Sequence, residues 1–491
     1  MSILNLPAEL LDEIASHLVP SMKGDTGSYD PDPEFRRCRL ALLSLVKTGN
    51  HHLHAIATRH LYHTICIDDL RCLFDLLHTA IHHPRLASFI RVLNLTATLE
   101  DALDDEVDAR SAALYADITP DMKAFAFLNL CFGPDDDFDD GPEGDSNNDP
   151  SGKSHEISWT TADDFAELSF GLLLCLTYNL ESLHLHGLGW DQSEFAPLAD
   201  IFRSAELDNE VVFLPHLSRI ALSADPRVDG PTLPEGMPQC FMSSKGNIKH
   251  LELFGPCLIH WDLSEIDAKW RGVETIRASY AYSTGAWWYH LCSQARPRLR
   301  VVDFELSPGS VFSDLERLEV GCNDAFALCA ESLEYLKVGL EPFTGDTSFL
   351  GPKRQLCVRE MHKLRYLETS VTVLFTSPDA LEEADICDVL PASLEQIFLS
   401  EDLAEPWADL PKDLDEEDPE REHARLVERA FLQLMLESEQ KLSRLQSVRV
   451  TARKAHWTFD ERQLMWGPYT VEQMPRSLTI TCAPKRERGG G

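Results

Sequence analysis

The chain of 491 residues carries 81 acidic and 44 basic residues, a formal net charge of −37, and 44% of its residues are hydrophobic. This acidity disfavours binding to nucleic acids and to anionic membrane surfaces, because both need Lys and Arg against phosphate groups. No apolar run reaches the roughly 18 residues of a membrane span, and no signal-peptide pattern is present, so the sequence predicts a cytoplasmic or nuclear protein.

Residues 6–18 have the pattern of a helix. Pro7 suits the first turn, where its missing N–H is not needed, and Glu9 places negative charge near the start of the helix dipole. The apolar residues cover more than one stripe of this helix: Leu6, Leu10, Leu11, Ile14, Ala15 and Leu18. We therefore expect part of the helix to contact a partner protein, the alternative being an ordinary capped helix.

Two further helical patterns follow at residues 39–46 and 51–62, and residues 65–67 predict a short strand. The Leu-Pro opening, the Glu after it and the paired aliphatics resemble the F-box family, and the resemblance covers residues 1–67. Residues 19–35 depart from the family pattern, since they form a Gly/Asp/Pro-containing insertion between the first two helices.

The resemblance implies a partner. F-box proteins dock these helices on a Skp-family adaptor, which is bound to a cullin, and so hold a substrate in a ubiquitin ligase. The implied adaptor contacts lie in the first helix, with further candidates in the second: Leu6, Pro7, Leu10, Leu11 and Ile14, then Leu42, Leu43 and Leu45.

A loose repeat of the form L-x-x-L-x-L occupies the rest of the chain. Its recurrences begin at Ile90, Leu180, Leu217, Ile248, Val273, Leu299, Leu315, Leu333, Leu364, Leu394 and Leu445. The pattern is typical of the strand of a leucine-rich repeat, whose units must stack to bury their aliphatic residues. From Leu180 onward the starts are 16 to 51 residues apart. The chain therefore resembles the irregular leucine-rich repeats that follow an F-box, particularly in fungal proteins.

The predicted fold class is α/β. A short three-helix F-box at 1–67 precedes an irregular leucine-rich-repeat solenoid at 68–484, in which a curved parallel sheet carries helices or loops on its outer face. Residues 163–178 and 420–442 have helical patterns within this solenoid.

Three segments have no pattern that predicts packing. The acid-rich segments 133–154 and 401–422 predict disordered or exposed loops, because they contain few apolar residues to bury. The tail 485–491 predicts disorder as well.

The outward residues of the strands form a candidate substrate face. If the aliphatics point inward, the exposed row carries five basic and five acidic residues, together with aromatics of the kind that anchor interfaces. The candidates for substrate contact are His184, His186, Arg219, His250, Arg277, Arg317, Tyr335, Lys337, Tyr366 and Phe398. The alternative is that they are ordinary solvated strand residues.

The sequence contains no pattern that predicts catalysis. It has no G-x-S-x-G elbow, no Walker A loop and no Cys-x-x-Cys pair among its 13 cysteines. His78 and His82 have a spacing that can hold a metal, but no third ligand matches it, so we predict no metal and no cofactor. The aromatic cluster at residues 287–289 is either a recognition anchor or core packing between repeats.

These observations predict a non-catalytic substrate-receptor subunit of a Skp–cullin–F-box ubiquitin ligase. The N-terminal helices would bind the adaptor, and the solenoid would bind a protein substrate that the sequence does not identify. Two alternatives stay open: a scaffold that recruits a partner without ubiquitinating it, and an enzyme that uses the solenoid as a rigid frame.

Overall fold

The structure of the chain, a computed structural model, describes residues 6–19, 33–95, 162–188, 214–224, 248–254, 269–279, 285–306, 322–340, 356–375, 385–400, 429–430, 432–434, 437–438, 440–451, 469–474 and 477–482. The chain divides into two compact units, Met1–Ile248 and Lys249–Gly491.

The first unit begins with three helices: α1 at Ala8–Ser16, α2 at Pro33–Val46 and α3 at His51–Leu61. Helix α3 contacts both α1 and α2. One residue from each helix forms the centre of their common core, namely Ala15, Leu42 and Ala57. The three predicted helices are therefore present.

Helix α2 begins earlier than predicted. Its first residue is Pro33 rather than Arg39, so it includes the end of the predicted insertion at 19–35. The pattern-based start was wrong because Arg36 and Arg37 interrupt the apolar run although they lie in the helix, where both are exposed. Residues 20–32 of the insertion lie outside the described residues.

Proline and asparagine mark the helix starts. Pro7 is the N-cap of α1, and its carbonyl accepts hydrogen bonds from the backbone N–H groups of Leu10 and Leu11, both at 3.1 Å. The side chain of Asn50 caps α3 by accepting from the backbone N–H groups of His52 and Leu53. A cap of this kind typically contributes about 1 kcal/mol.

The rest of the first unit alternates strands with helices. Its elements are β1 at Thr64–Ile67, α4 at Leu70–His82, α5 at Pro84–Ala87, β2 at Val92–Leu95, α6 at Ala162–Leu176, β3 at Ser182–Leu188 and β4 at Arg219–Ala224. Each strand pairs parallel with the next. Parallel strands need crossover connections, and helices α4 and α6, which are in contact with each other, belong to two of them.

The second unit continues the same alternation. Its elements are β5 at His250–Phe254, a 3-10 turn at Lys269–Gly272, β6 at Thr275–Ser279, α7 at Gly285–Ala295, β7 at Val301–Leu306, α8 at Cys322–Leu328, β8 at Tyr335–Leu340, β9 at Tyr366–Ser370, α9 at Val371–Leu374, α10 at Ile386–Val389, β10 at Gln396–Ser400, β11 at Ser447–Thr451, β12 at Tyr469–Met474 and β13 at Ser477–Cys482. Strands β5 to β11 pair parallel in chain order. Strand β13 is antiparallel to β11, and β12 is antiparallel to β13.

The aliphatic residues of the repeat are buried, as their alternation predicts. Those at most 2% exposed within the strands are Leu93, Leu95, Leu183, Leu185, Ile220, Leu222, Leu251, Leu253, Ile276, Ala278, Val302, Phe304, Leu336, Val338, Leu367, Ile397, Leu399 and Val448. The recurrence at 315–320 lies outside the described residues. The α/β class and the parallel pairing of the strands are thus confirmed.

A common turn leads into these strands despite their irregular spacing. The first aliphatic of a repeat donates its backbone N–H to the carbonyl three residues earlier, at 2.9 Å from Leu180 to Thr177 and at 3.0 Å from Leu364 to Met361. The pairs Leu217–Leu214, Val273–Trp270, Leu394–Pro391 and Leu445–Leu442 repeat it. Leu299 and Leu333 instead donate to the carbonyl four residues earlier. Because a local turn of one of these two kinds sets the entry of these strands, loops of different length do not shift their register.

Charges alternate at the residue that precedes each of the strands β5 to β10 in the second unit. This set, called the entry row, is Lys249, Glu274, Arg300, Glu334, Arg365 and Glu395. The Nε atom of Arg300 lies 3.9 Å from Oε1 of Glu334, and that of Arg365 lies 3.8 Å from Oε1 of Glu395. Opposite charges on neighbouring strands favour in-register pairing by about 0.2–1 kcal/mol each.

The two predicted long helices are present where the structure describes them. Helix α6 matches the prediction at 163–178, and the described residues between 429 and 441 are helical, within the prediction at 420–442. The segments 133–154, 401–422 and 485–491 lie outside the described residues. Within the described part of the chain, no helix has both the length and the apolar character needed to cross a membrane.

Candidate protein-binding surfaces

Helix α1 presents two aliphatic side chains to solvent. Leu10 is 51% exposed and Ile14 is 39% exposed, although Leu11 between them is buried. Pro7 is exposed and Leu6 half-buried at the start of the helix. Four of the five residues predicted in this helix to contact an adaptor therefore have accessible surface, and Leu11 belongs to the buried side.

Helix α2 divides its predicted contact residues differently. Leu42 is 1% exposed and lies in the three-helix core, so it offers no surface to a partner. Leu43 and Leu45 are half-buried. The most exposed leucine is Leu40, at 63%, which the prediction did not include. Residues 40–46 are almost entirely aliphatic, and their pattern therefore could not reveal which of them faces solvent.

A polar contact joins α1 to α3. The Nε2 atom of His60 lies 2.8 Å from Oδ1 of Asp12, and the histidine is only 7% exposed. Asp12 stands between Leu10 and Ile14 in the sequence. A hydrogen bond at this position fixes the rotation of α1 on α3, and so fixes which aliphatic residues of α1 face solvent.

The strand face of the first unit is more buried than predicted. His184 is 5% exposed and Ser182 is 8% exposed, whereas their outward positions predicted accessible side chains. The prediction that His184 is exposed was wrong, because residue parity within a strand identifies the face but not what covers it. His186 and Arg219, from the same predicted set, are half-buried.

Burial lowers the pKa of both histidines of this face. The Oγ atom of Ser182 lies 2.8 Å from Nε2 of His184. Burial, with smaller contributions from Arg219 and His186, lowers the pKa of His184 to about 3. Burial lowers the pKa of His186 to about 4. Although a serine beside a histidine is the pairing of a nucleophile and its base, both side chains are too buried to reach a substrate, so we assign the pair a structural role.

The strand face of the second unit carries a row of charged and aromatic residues. This central row occupies matching positions on seven paired strands: Glu252, Arg277, Asp303, Lys337, Glu368, Phe398 and Arg449. Its first five members alternate in charge. The structure therefore brings together five of the predicted contact residues, because Arg277, Lys337 and Phe398 stand in this row and Tyr335 and Tyr366 lie beside it.

Ion pairs connect the first members of the central row. Glu252, only 4% exposed, lies 3.7 Å from Nη1 of Arg277. The Nζ atom of Lys337 lies 3.6 Å from Asp303, 3.8 Å from Glu305 and 3.8 Å from Glu368. Burial alone would lower the pKa of Lys337, but these three carboxylates outweigh burial and raise it.

Aromatic side chains lie on both sides of these ion pairs. The rings of Tyr335 and Tyr366 stack with their centroids 4.4 Å apart and their planes 4° from parallel. The Tyr366 hydroxyl donates to Oε2 of Glu368 at 2.7 Å. Burial, assisted by neighbouring carboxylates, raises the pKa of both tyrosines, so their hydroxyls stay protonated. The guanidinium of Arg449 lies 5.8 Å from the ring centre of Phe398.

The remaining sequence candidates lie at the start of β5 or outside the described residues. His250 is half-buried at the start of β5, and Arg317 lies outside the described residues. Of the aromatic cluster at 287–289, Tyr289 is 37% exposed on α7. The rings of His78 and His82 lie 4.3 Å apart.

Among the described residues, the group with metal-binding spacing is Asp68, Asp69 and Cys72, which does not include these histidines. Asp69 already accepts the backbone N–H of Cys72 as the N-cap of α4. A capped helix start accounts for this cluster without an ion.

No protein-family model matches the chain, and no curated protein sequence matches it.

Proposed function

We propose that the protein is a substrate-receptor subunit of a Skp–cullin–F-box ubiquitin ligase. The observation that carries the proposal is the pair of exposed aliphatics, Leu10 and Ile14, on a helix that opens with Leu6-Pro7. The three-helix core is closed without them, since Ala15, Leu42 and Ala57 fill its centre. Their exposure therefore serves no purpose within the N-terminal helices.

Docking on an adaptor accounts for this exposure. Burying a leucine or isoleucine side chain contributes about 1.5–3 kcal/mol relative to exposing it. Because Leu10 and Ile14 are partly exposed, part of this free energy becomes available when a partner covers them. Interface energy is concentrated in a few central side chains of this kind. Leu40, at 63% exposed, is a further aliphatic on α2 that supports a partner surface on these helices.

The central row supports the substrate-binding half of the proposal. Its arginines, and the half-buried tyrosines beside it, are residue types enriched where protein interfaces bind most strongly. The protein itself performs no bond chemistry in this proposal. It holds a substrate near a conjugating enzyme, and the reaction gains from the raised effective concentration of the two.

The first test is co-purification of the full chain with a Skp-family adaptor. We expect the wild-type chain to bind and the double variant Leu10→Ala/Ile14→Ala to bind at least about tenfold more weakly, because it loses two interface anchors. Tyr178→Ala is the matched control, since Tyr178 is 53% exposed on a turn after α6. Equal binding by wild type and double variant, or no binding by the wild type, would refute the proposal.

A reconstituted ligase separates the receptor from a scaffold. With cullin, ubiquitin-activating enzyme and conjugating enzyme added, a receptor transfers ubiquitin to a protein bound on the second unit, and the Leu10→Ala/Ile14→Ala variant does not. Adaptor binding without transfer to any bound protein would favour the scaffold.

A further inference from the structure

Strands β7, β8 and β9 carry a compact surface, called here the acidic–aromatic patch. Its members are Asp303, Glu305, Tyr335, Lys337, Tyr366 and Glu368. Strand register places them side by side on the face opposite the aliphatic core. The four charged members keep 21% to 31% of their side chains exposed, so a partner can reach them.

The carboxylates of the patch are not fully neutralised. Asp303, Glu305 and Glu368 share the single ammonium group of Lys337, which leaves a local net charge of −2. The three N–O distances, 3.6, 3.8 and 3.8 Å, exceed the range of direct hydrogen bonds. Since Oδ1 of Asp303 is buried, the acceptor capacity that a second cationic group can reach lies on Glu305 and Glu368.

The stacked tyrosines provide a flat surface beside the carboxylates. Tyr335 and Tyr366 stand two residues before Lys337 and Glu368 on their strands, and therefore on the same face. The hydrogen bond from the Tyr366 hydroxyl fixes the direction of the Glu368 carboxylate. A planar carboxylate next to an aromatic ring suits a guanidinium group, which forms paired N–H···O bonds and stacks on aromatic faces.

The residue of β8 next to Glu305 has no side chain. This residue is Gly339, the register partner of Glu305. A methyl group at Gly339 would meet only ordinary contacts, the nearest being the Glu305 side chain at 3.5 Å. The Glu305 side chain therefore lies against the Gly339 backbone, with no side chain of β8 between them.

The same face is poorly suited to a phosphate group. Arg277 stands between Glu252 and Asp303 in the central row, and Lys337 stands between Asp303 and Glu368. A phosphate bound to either base would lie beside at least two carboxylates. Like charges at this distance repel each other, so a phosphopeptide is the less favourable occupant.

We propose that the acidic–aromatic patch binds an arginine side chain within an extended segment of a protein substrate. The guanidinium adds positive charge where three carboxylates share one lysine, and its flat face lies against Tyr335 or Tyr366. This inference rests on the proposed receptor function and names the chemistry of the substrate. The net charge of −37 also favours encounter with a basic segment.

Fluorescence polarisation with the full chain tests this. The probes are four fluorescein-labelled decapeptide pools, randomised except for one central residue: Arg, Lys, Glu or phosphoserine. We expect the Arg pool to bind most tightly and the Lys pool about threefold more weakly, because an ammonium group lacks the stacking surface and paired donors. Tighter binding of the Glu or phosphoserine pool, or equal binding of all four, would overturn the proposal.

Matched variants locate the binding. Glu305→Gln/Glu368→Gln removes two carboxylate charges from the patch, and we expect it to weaken the Arg pool about tenfold. The control Glu334→Gln/Glu395→Gln removes two charges from the entry row of the same unit and leaves binding nearly unchanged. Equal weakening by both pairs would mean that only general acidity attracts the peptides, and the patch would be rejected.

Gly339→Ala keeps the test decisive if the glutamine variant unfolds. It places a methyl group against the Glu305 side chain without altering charge, and this methyl group makes only ordinary contacts. We expect weaker binding of the Arg pool at unchanged Tm; unchanged binding contradicts the proposed position of the arginine.

The adaptor experiment distinguishes the two proposals. Patch variants should still bind the adaptor, and Leu10→Ala/Ile14→Ala should still bind the Arg pool. Peptide binding without adaptor binding would refute the receptor function and leave the arginine specificity standing. Adaptor binding without a preference for arginine would refute the arginine specificity and leave the receptor function standing.

Discussion

His60 and Asp12 are 48 residues apart in sequence, and their side chains meet at 2.8 Å between α3 and α1. The imidazole is nearly buried while the carboxylate is 39% exposed. The contact thus connects a surface position on the first helix to the interior of the N-terminal helices. It also gives α1 a directional restraint that apolar packing alone does not supply.

Asp12→Ala should destabilise the N-terminal helices by about 1–3 kcal/mol, because it leaves a buried ring nitrogen of His60 without its partner. Asp12→Asn, which keeps an oxygen in place, should cost less. Thermal unfolding measures both. Glu13→Ala is the control, since Glu13 forms only an exposed pair with His17; a loss as large in that variant would show that the Asp12 contact has no special role.

Leu336→Ala should cost about 2–5 kcal/mol in the free energy of unfolding, because Leu336 is fully buried on β8. Leu40→Ala, at a site 63% exposed, should change it by less than about 0.5 kcal/mol. Denaturant titration compares the two. Similar costs at the two sites would contradict the inward orientation of the repeat aliphatics.

Arg300→Glu should reduce stability by about 0.5–1 kcal/mol, because it places three acidic residues in succession along the entry row. Both side chains of the Arg300–Glu334 pair are more than a third exposed, so salt should diminish the effect. Thermal unfolding at low and high ionic strength tests this. The neutral control is Arg300→Gln, and equal effects of the two changes at low salt would exclude charge alternation as the cause.

Stability should decrease as the pH falls below about 6.5, the ordinary pKa of histidine. The unfolded chain takes up protons at His184 and His186 from that pH downward, whereas the folded chain does so only near their lowered pKa values of about 3 and 4. Between these limits each histidine contributes a loss of up to about 1.4 kcal/mol per pH unit.

The variant His186→Asn should make the stability less dependent on pH, because it removes the contribution of His186 and leaves that of His184. His17→Gln serves as its control, because His17 is 77% exposed on the surface of α1. Unfolding curves recorded between pH 7.5 and 5 give the comparison. An unchanged slope for His186→Asn would show that His186 does not stay neutral in the folded chain.

The sequence pattern predicted the strands well because burial follows their two-residue period. Leu336 and Val338 illustrate this: both are aliphatic and fully buried, whereas Lys337 between them is half-buried. The same parity argument placed His184 on the outward face correctly but did not predict its burial. Burial there depends on residues distant in sequence, which a local pattern does not contain.

The sequence alone also could not predict that charges alternate across neighbouring strands, because the strand pairing was not known. Arg277 and Asp303 are separated by a turn and a helix in sequence, and only the register shows that they are neighbours. Likewise, nothing local joins Tyr335 to Tyr366, which stack across β8 and β9. The individual residues could be named as contact candidates, but their arrangement into a patch required the structure.

Strand β13 runs against β11, and this reversal affects how the second unit meets other molecules. A parallel edge on β11 would expose unpaired backbone N–H and C=O groups, a template on which another chain could add a strand. The antiparallel pairing of β13 uses these groups within the molecule. The hairpin of β12 and β13 therefore covers the edge of β11, and the position of the edge strand passes from a parallel strand of the repeat to β12.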